Sequence, residues 1–317
     1  MYQATPLWPL AGRMHRGDAL EVIRFGPAGW DYEDWWGVVY PDPAPKGFDP
    51  LAWLAGFFQV VEVNSTYYRP LPAQVARSWC RRVADRPDFR FTAKLWKRFT
   101  HERESAFDAA DVKQARELFD ALAEEGRLGA VLMQFPWSFR RDEANREWLR
   151  DVVRALQGLP LVLEVRHASW NVPETYESLA EQGIGFVNID QPLFRNSIKP
   201  SAIATAAVGY VRIHGRNYKD WFRDEAGRDA RYDYLYAQEE LAPWAERAKA
   251  LAAEPTVRDV FVVTNNHFRG QAAANALMLA SMVEGRKVDA PATLFRSFPE
   301  VLAPYTVPEG DRGGTLV

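Results

Sequence analysis

AVLMQFPWSFRRDEANREWLRDVVRALQGLPLVLEVRH, residues 130–167, contains the repeat that decides the fold. An apolar, β-rich run begins near Ala130. In Glu143 to Gln157, Trp148, Leu149, Val152, Val153 and Leu156 recur at helical spacing. A second apolar run begins near Leu161. Strand, helix and strand in this order predict a parallel pair joined by a crossover helix.

The same unit extends in both directions. Strand-like runs begin near Val22, Val60, Phe89, Ala130, Leu161, Gly185, Val208 and Val260. Helical patterns cover Pro72 to Ala84, Asp111 to Glu125, Ala242 to Ala253 and Gln271 to Glu284. Eight such units predict an α/β fold of the (β/α)8 TIM type, which needs about 250 residues. No Pro- or Gly-rich linker divides the chain. One barrel domain is therefore expected over residues 22–302, after an N-terminal extension (1–21) and before a flexible C-terminal tail (303–317). The sixth unit departs from the repeat, because Asp190 to Thr205 contains Pro192 and Pro200 and no helical pattern. Two connections are long, Trp30 to Pro50 and Gly215 to about Gln238. The second carries Arg216, Tyr218, Trp221, Arg223, Tyr232, Tyr234 and Tyr236 and suggests a lid or binding loop.

Composition narrows the function classes. The chain has 317 residues, is 47% hydrophobic and 26% charged, and carries a formal net charge of −3. That balance is globular, and the charge disfavours a nucleic-acid partner. The single cysteine, Cys80, cannot form an intramolecular disulfide, and the reading is a reducing, cytoplasmic compartment. No 18-residue apolar stretch predicts a membrane span. Twelve Trp stand beside 12 Tyr and 18 Phe, and their placement matters.

Active sites of such barrels lie at the C-terminal ends of the strands. Period-two alternation puts Glu62 with Asn64, Thr92 with Lys94, Leu132 with Gln134, Glu164 with Arg166, and Asn188 with Asp190. It also aligns Tyr210, Arg212 and His214, and Val263 with Asn265. Charged residues are rarely buried unless paired. Glu62, Glu164 and Asp190 are therefore expected to meet Lys94, Arg166 and Arg212 inside one mouth. His101, His167, His214 and His267 follow strands at the same end and add acid/base or ligand capacity. The candidate catalytic set is Glu62, Glu164, Asp190, His167 and His214. A divalent metal on Glu62, Glu164, Asp190 and His214 is a second reading, although nothing in the sequence requires a cofactor.

Units seven and eight suggest an anion site built from Gly215, Arg216, Asn265, Asn266, Arg269 and Gly270, where barrels often bind phosphate. Capping and tight turns are the bland alternative for Asn265, Asn266 and Gly270. Trp30, Tyr67 and Trp170 are the candidate aromatic contacts for a planar or sugar-like ligand. Removing Arg212 is expected to abolish ligand binding without unfolding the barrel. A small anionic ligand is the expected partner, and oligomeric state is not legible.

These motifs also carry a resemblance. Gly29-Trp30 with Trp35, Trp36, Gly37, Tyr40 and Pro41, Glu62-Val63-Asn64-Ser65-Thr66-Tyr67-Tyr68, and Thr100-His101 follow in order. Gln134-Phe135-Pro136, Glu164-Val165-Arg166-His167 with Ser169-Trp170, Asp190, Tyr210 to Gly215, and Asn265-Asn266 with Gly270 and Asn275 complete the set. The chain resembles the domain of unknown function 72 (DUF72, YecE-like) family. The resemblance implies a TIM-type barrel whose strand-end residues form a shared site, with no assigned reaction. The chain departs at Lys94-Leu95-Trp96, where a small or charged residue is commoner after the lysine. Three functions follow as expectations. The first is an enzyme, a hydrolase or lyase, acting on a small anionic or phosphorylated, sugar-like ligand. The second is a metal-dependent phosphodiester or nucleic-acid enzyme, and the third is a non-catalytic binder. A glycoside hydrolase using Glu62 and Glu164 carries little weight, because strands two and five do not match the usual pair.

Overall fold

The computed structural model describes residues 23–219, 221 and 231–310. The expected extension 1–21, the tail beyond 310, and Arg223 of the long seventh loop lie outside the described residues.

Eight parallel strands form a nearly closed barrel of the TIM type. They are β1 (Ile23–Pro27), β2 (Val60–Val63), β3 (Arg90–Lys94), β4 (Leu128–Gln134), β5 (Leu161–Glu164), β6 (Gly185–Asp190), β7 (Val208–Ile213) and β8 (Asp259–Thr264). Strands two to eight pair consecutively, and β8 pairs with β1. The seam between β1 and β2 is held by the Ala28–Glu62 bridge and by Gly29 N donating to Glu62 O at 2.8 Å. Glycine is required at position 26, because a Cβ there would lie 1.7 Å from Val60 O.

Helices pack outside where apolar periodicity places them. Asp108 caps the helix Ala109–Glu124 in a capping box with Asp111, and Asp142 caps Glu143–Ala155 through Asn145 N. The helices Ala73–Arg82, Gln238–Ala253 and Gln271–Glu284 also fall where the sequence predicts them. Among the described residues no helix is long and apolar enough to cross a membrane.

Unit six lacks a helix, as expected. The irregular stretch after β6 still needs partners for its backbone groups. Asn188 supplies them: its Oδ1 accepts from Ser201 Oγ at 2.7 Å and Ile203 N at 2.8 Å, and its Nδ2 donates to Ile203 O at 3.0 Å. Asn188 therefore points outward. The β6–β7 register pairs Ile189 with Arg212 and Asp190 with Ile213, so Val187 and Ile189 face the barrel interior. The expectation that Asn188 and Asp190 point inward is corrected: alternation separates two faces of a strand but does not say which one is inside.

The segment after residue 302 contains a short strand, β10 (Thr306–Pro308), paired in parallel with β9 (Val288–Ala290). Thr306 is buried there and donates to Leu302 O at 3.0 Å.

Candidate functional site

The inner face is stacked in layers. At the bottom, Arg24 of β1 pairs with Asp259 of β8. Above it, Thr92 and Tyr210 share a hydrogen bond of 2.9 Å, and Tyr210 lies beside Phe261. The charged layer follows, with Arg212 at its centre. Arg212 Nε and Nη2 donate to Glu62 Oε2 and Oε1 at 2.9 and 2.5 Å, and Nη1 donates to Glu164 Oε2 at 2.9 Å. All three side chains are 2% exposed or less.

Each carboxylate accepts three such bonds. Glu62 also accepts from Tyr210 Oη at 2.8 Å. Glu164 Oε1 accepts from Arg166 Nε and His214 Nε2, each at 3.1 Å. Burial alone would raise the Glu164 carboxyl, but His214, Arg212 and Arg166 outweigh it and hold the group well below the usual range. A buried carboxylate held ionised by cationic partners is a poor general acid or base. Arg212 belongs to this framework, so its loss is now expected to cost stability as well as binding.

His214 is fully buried. Asn265 Nδ2 donates to its Nδ1 at 3.1 Å, which leaves the proton on Nε2 facing Glu164. Burial, reinforced by Arg166 and Arg212, lowers its pKa to about 3 despite Glu164, so the ring is neutral. His101 sits under the same influences, burial first and then Lys94 and Arg166, and is also lowered to about 3. Its Nδ1 shares a 2.9 Å bond with Thr100 Oγ1, and its ring meets the edge of Tyr67.

Lys94 differs from its charged neighbours. Its Nζ lies 3.9 Å from the centroid of the Tyr67 ring. Among the described residues it forms no ion pair, because Arg212 and Arg166 already take the nearby carboxylates. Loss of water and repulsion from Arg212 and Arg166 lower its pKa to about 7, against the opposing pull of Glu164 and Glu62.

This layer floors a cleft of about 970 Å³ that opens at the C-terminal strand ends. Of the sequence-predicted site residues, Trp30, Asn64, Tyr67, Lys94, His101, Gln134, Arg166, Arg212 and Asn265 line it. Glu62, Glu164 and His214 lie directly behind, held by Arg212, Arg166 and Asn265. The Asn64 side-chain oxygen is buried with no hydrogen-bond partner. Gln134 donates to Phe135 O at 2.7 Å.

Other predicted residues sit elsewhere. Asp190 faces outward and receives both Arg216 nitrogens (2.8 and 3.0 Å) and the Tyr236 hydroxyl. Arg216 also reaches Glu240 at 3.1 Å, and Gly215 N donates to Tyr236 Oη at 2.9 Å. This second, outer cluster anchors the seventh loop. His167 accepts Ser169 N at 3.1 Å and caps the short turn Ala168–Trp170. Trp170 is buried, stacked on Phe139, with Nε1 donating to Phe139 O at 2.7 Å. Asn266 Nδ2 ties Tyr234 O to Asn275 Oδ1, each at 2.8 Å. The anion site expected at the helix Gln271–Glu284 is filled by the chain itself. Gly270 (φ +78°) packs on Val38 and Val39, and Asp34 Oδ2 accepts Arg269 N at 2.6 Å. A short polar loop in the sequence does not reveal that the first βα loop folds over it.

The four residues considered as metal ligands do not converge, since Asp190 is in the outer cluster and Arg212 occupies the two glutamates. Among the described residues no group of three His, Cys, Asp or Glu is arranged to hold a metal. Glu62 and Glu164 share one guanidinium instead of flanking an open cleft, so the glycosidase geometry is absent.

His267, Trp221 and Tyr232, which the sequence places at this end or on the long seventh loop, line the cleft as well, as do Tyr68 and Trp137, whereas sequence reasoning did not single out Asp31, Tyr32, Ser65, Arg82 and Arg231. Asp31, Tyr32 and Arg231 come from the two long loops, whose length was the available signal. Trp221 covers Arg166, its ring centroid 5.4 Å from the guanidinium carbon, and Tyr32 stacks on His267 at 4.4 Å.

Comparisons agree with this architecture. A family model described as "Protein of unknown function DUF72" matches residues 24–296. The UPF0759 protein YunF of Bacillus subtilis (strain 168) is 29% identical over 282 residues, covering 83% of this chain and 95% of its own length. The crystal structure of a DUF72 family protein, TM1631 of Thermotoga maritima MSB8, superposes with a TM-score of 0.71 at 35% identity, over 83% of this chain and 99% of that one. A second DUF72 structure, EF0366 of Enterococcus faecalis V583, has a TM-score of 0.70 at 24% identity over 83% and 95% of the two chains and shares the fold.

Proposed function

The chain belongs to the DUF72 family, and from that premise we propose that its barrel mouth binds a small anionic ligand and acts on it chemically. The carrying observation is the charge count of the cleft floor. Lys94, Arg166 and Arg212 face Glu62 and Glu164, so protonated Lys94 leaves one positive charge without an internal counterion. A carboxylate or phosphate supplies that counterion, and Arg166 and Lys94 are the groups positioned to meet it.

The cleft volume suits a metabolite-sized ligand. Trp30, Tyr67 and Trp137 give it flat apolar walls for a planar or sugar-like body. The unpartnered Asn64 oxygen asks for a donor such as a ligand hydroxyl. Glu62, Glu164 and Arg212 act here as a rigid, low-dielectric floor and not as the acid/base pair. Phosphorylated sugars and short carboxylates at millimolar concentration should raise the melting temperature of the protein. They should do so less for Lys94→Met and Arg166→Met. A full panel of phosphates and carboxylates that stabilises neither the wild type nor the variants would overturn this reading.

A further inference from the structure

The cleft presents one amine in an unusual position. Lys94 ends β3 on the inner face, half-buried, with its Nζ against the face of Tyr67. Arg212 from β7 and Arg166 after β5 stand beside it as cations, and Glu62 and Glu164 stand behind them as bound anions. His101 and Tyr67 complete its surroundings. A structural lysine in a barrel would be expected to take one of the two carboxylates. Here Arg212 holds both, and Lys94 opens to the cleft instead.

We propose that Lys94 is a catalytic residue that forms an imine with an anionic carbonyl substrate, such as a 2-oxo acid or an aldehyde acid, whose carboxylate is held by Arg166. The proposal rests on the anion-binding reading above and deepens it by naming the substrate class. An amine set next to other cations and partly enclosed in a cleft is the arrangement that keeps lysine nucleophilic near neutral pH. The lowering of Lys94 to about 7 agrees with that geometry.

The step balances without a redox partner. Neutral Nζ adds to the carbonyl carbon, a C–N bond forms, and the carbonyl π pair moves to oxygen, which becomes a hydroxyl as the nitrogen gives up a proton. The carbinolamine then loses that hydroxyl with one proton from solvent as water. The net change is amine plus carbonyl plus one proton giving a protonated imine plus water. Its positive charge then sits at the substrate carbon, where it withdraws electrons from the neighbouring bond, the requirement for breaking or making a C–C or C–H bond there.

The test is reductive trapping of the whole chain with glyoxylate and cyanoborohydride at pH 7, read by peptide mass mapping. Hydride converts the imine into carboxymethyl-lysine at the residue that formed it. Exposed lysines such as Lys113 are internal references. At pH 7 an ordinary lysine is about one part in a thousand neutral, so Lys94 should be labelled about ten-fold faster or more. Lys94→Arg should show no label at that peptide. Arg166→Met should slow labelling of Lys94 by glyoxylate more than by acetaldehyde, which carries no anion.

Labelling of Lys94 no faster than Lys113 overturns the proposal. If pyruvate or glyoxylate raises the melting temperature without a Lys94 adduct, the imine fails and anion binding stands. If lactate, which has no carbonyl, also stabilises without adduct while glyoxylate labels Lys94, both readings hold. If none of these compounds stabilises the protein and none labels Lys94, both fail.

Discussion

Replacing Arg212 with methionine removes the centre of the barrel floor and leaves Glu62 with the Tyr210 hydroxyl alone and Glu164 with Arg166 and His214. Three guanidinium bonds disappear, at 2.9, 2.5 and 2.9 Å. Each charge-assisted bond contributes about 1.5–3 kcal/mol. Breaking a buried ion pair on one side costs about 3–5 kcal/mol in practice, because relaxation and proton uptake limit the loss. The unfolding constant should therefore rise by about two to three and a half powers of ten. Urea unfolding followed by circular dichroism at pH 7 measures this directly.

The pH dependence is part of the same argument. In the wild type the Glu164 carboxyl lies well below its ordinary value of 4.5. Its contribution is complete above that value and is lost as pH falls through the lower folded pKa. In Arg212→Met the Glu164 carboxyl keeps Arg166 and His214 but loses Arg212, so its folded value moves back up towards the ordinary one. The variant's deficit should then shrink as pH falls below the ordinary carboxylate value, where the wild type loses its larger contribution from Glu164. Adding Glu62→Gln and Glu164→Gln to Arg212→Met should recover much of the stability at pH 7. A variant within about 1 kcal/mol of wild type at pH 7, or a deficit that does not shrink as pH falls below the ordinary carboxylate value, would refute the hub assignment.

Four further outcomes are expected. The folded state binds fewer protons than the unfolded chain between the Lys94 value near 7 and the ordinary lysine value, so wild-type stability should rise with pH across that window. Lys94→Met should flatten that rise in denaturant melts at pH 6 to 10. His101 and His214 stay neutral down to about 3, whereas the unfolded chain protonates near 6.5, so stability should fall as pH drops below about 6.5. Nitrogen chemical shifts should show His214 neutral at pH 5. Gly270→Ala puts a Cβ 2.8 Å from Val39 Cγ2 at φ +78° and should destabilise by about 1–3 kcal/mol in a thermal melt. Trp170→Ala should cost about 3–5 kcal/mol of stability yet leave carboxylate and phosphate binding unchanged by calorimetry, because the ring packs on Phe139 behind the site.

Much of the site was legible from period-two alternation. Glu62, Lys94, Glu164 and Arg212 were predicted inside at one barrel end, and they meet there because polar residues at alternate positions of apolar strands must share a face. Asp190 misled because the same rule leaves the choice of face open. In β6 the outer face had to satisfy a helix-free segment, and Asn188 and Asp190 serve it. His167 and Trp170 misled for another reason. They follow a strand, but a turn directs them, and turn direction has no period. The lining residues that the sequence does not single out, Tyr32 and Arg231 among them, come from loops that fold over the mouth from distant parts of the chain.

What the chain determines by itself is local and repetitive: eight strand–helix units, their order, and the end at which charge gathers. Each follows from spacing within a few residues. What only the tertiary structure decided is who pairs with whom. Arg212 takes both Glu62 and Glu164, and those partners are 150 and 48 residues away along the chain. Coulomb attraction depends on distance across the closed barrel, not on separation in sequence. That one choice turns two apparent catalytic acids into a fixed floor and leaves Lys94 as the amine facing the cleft.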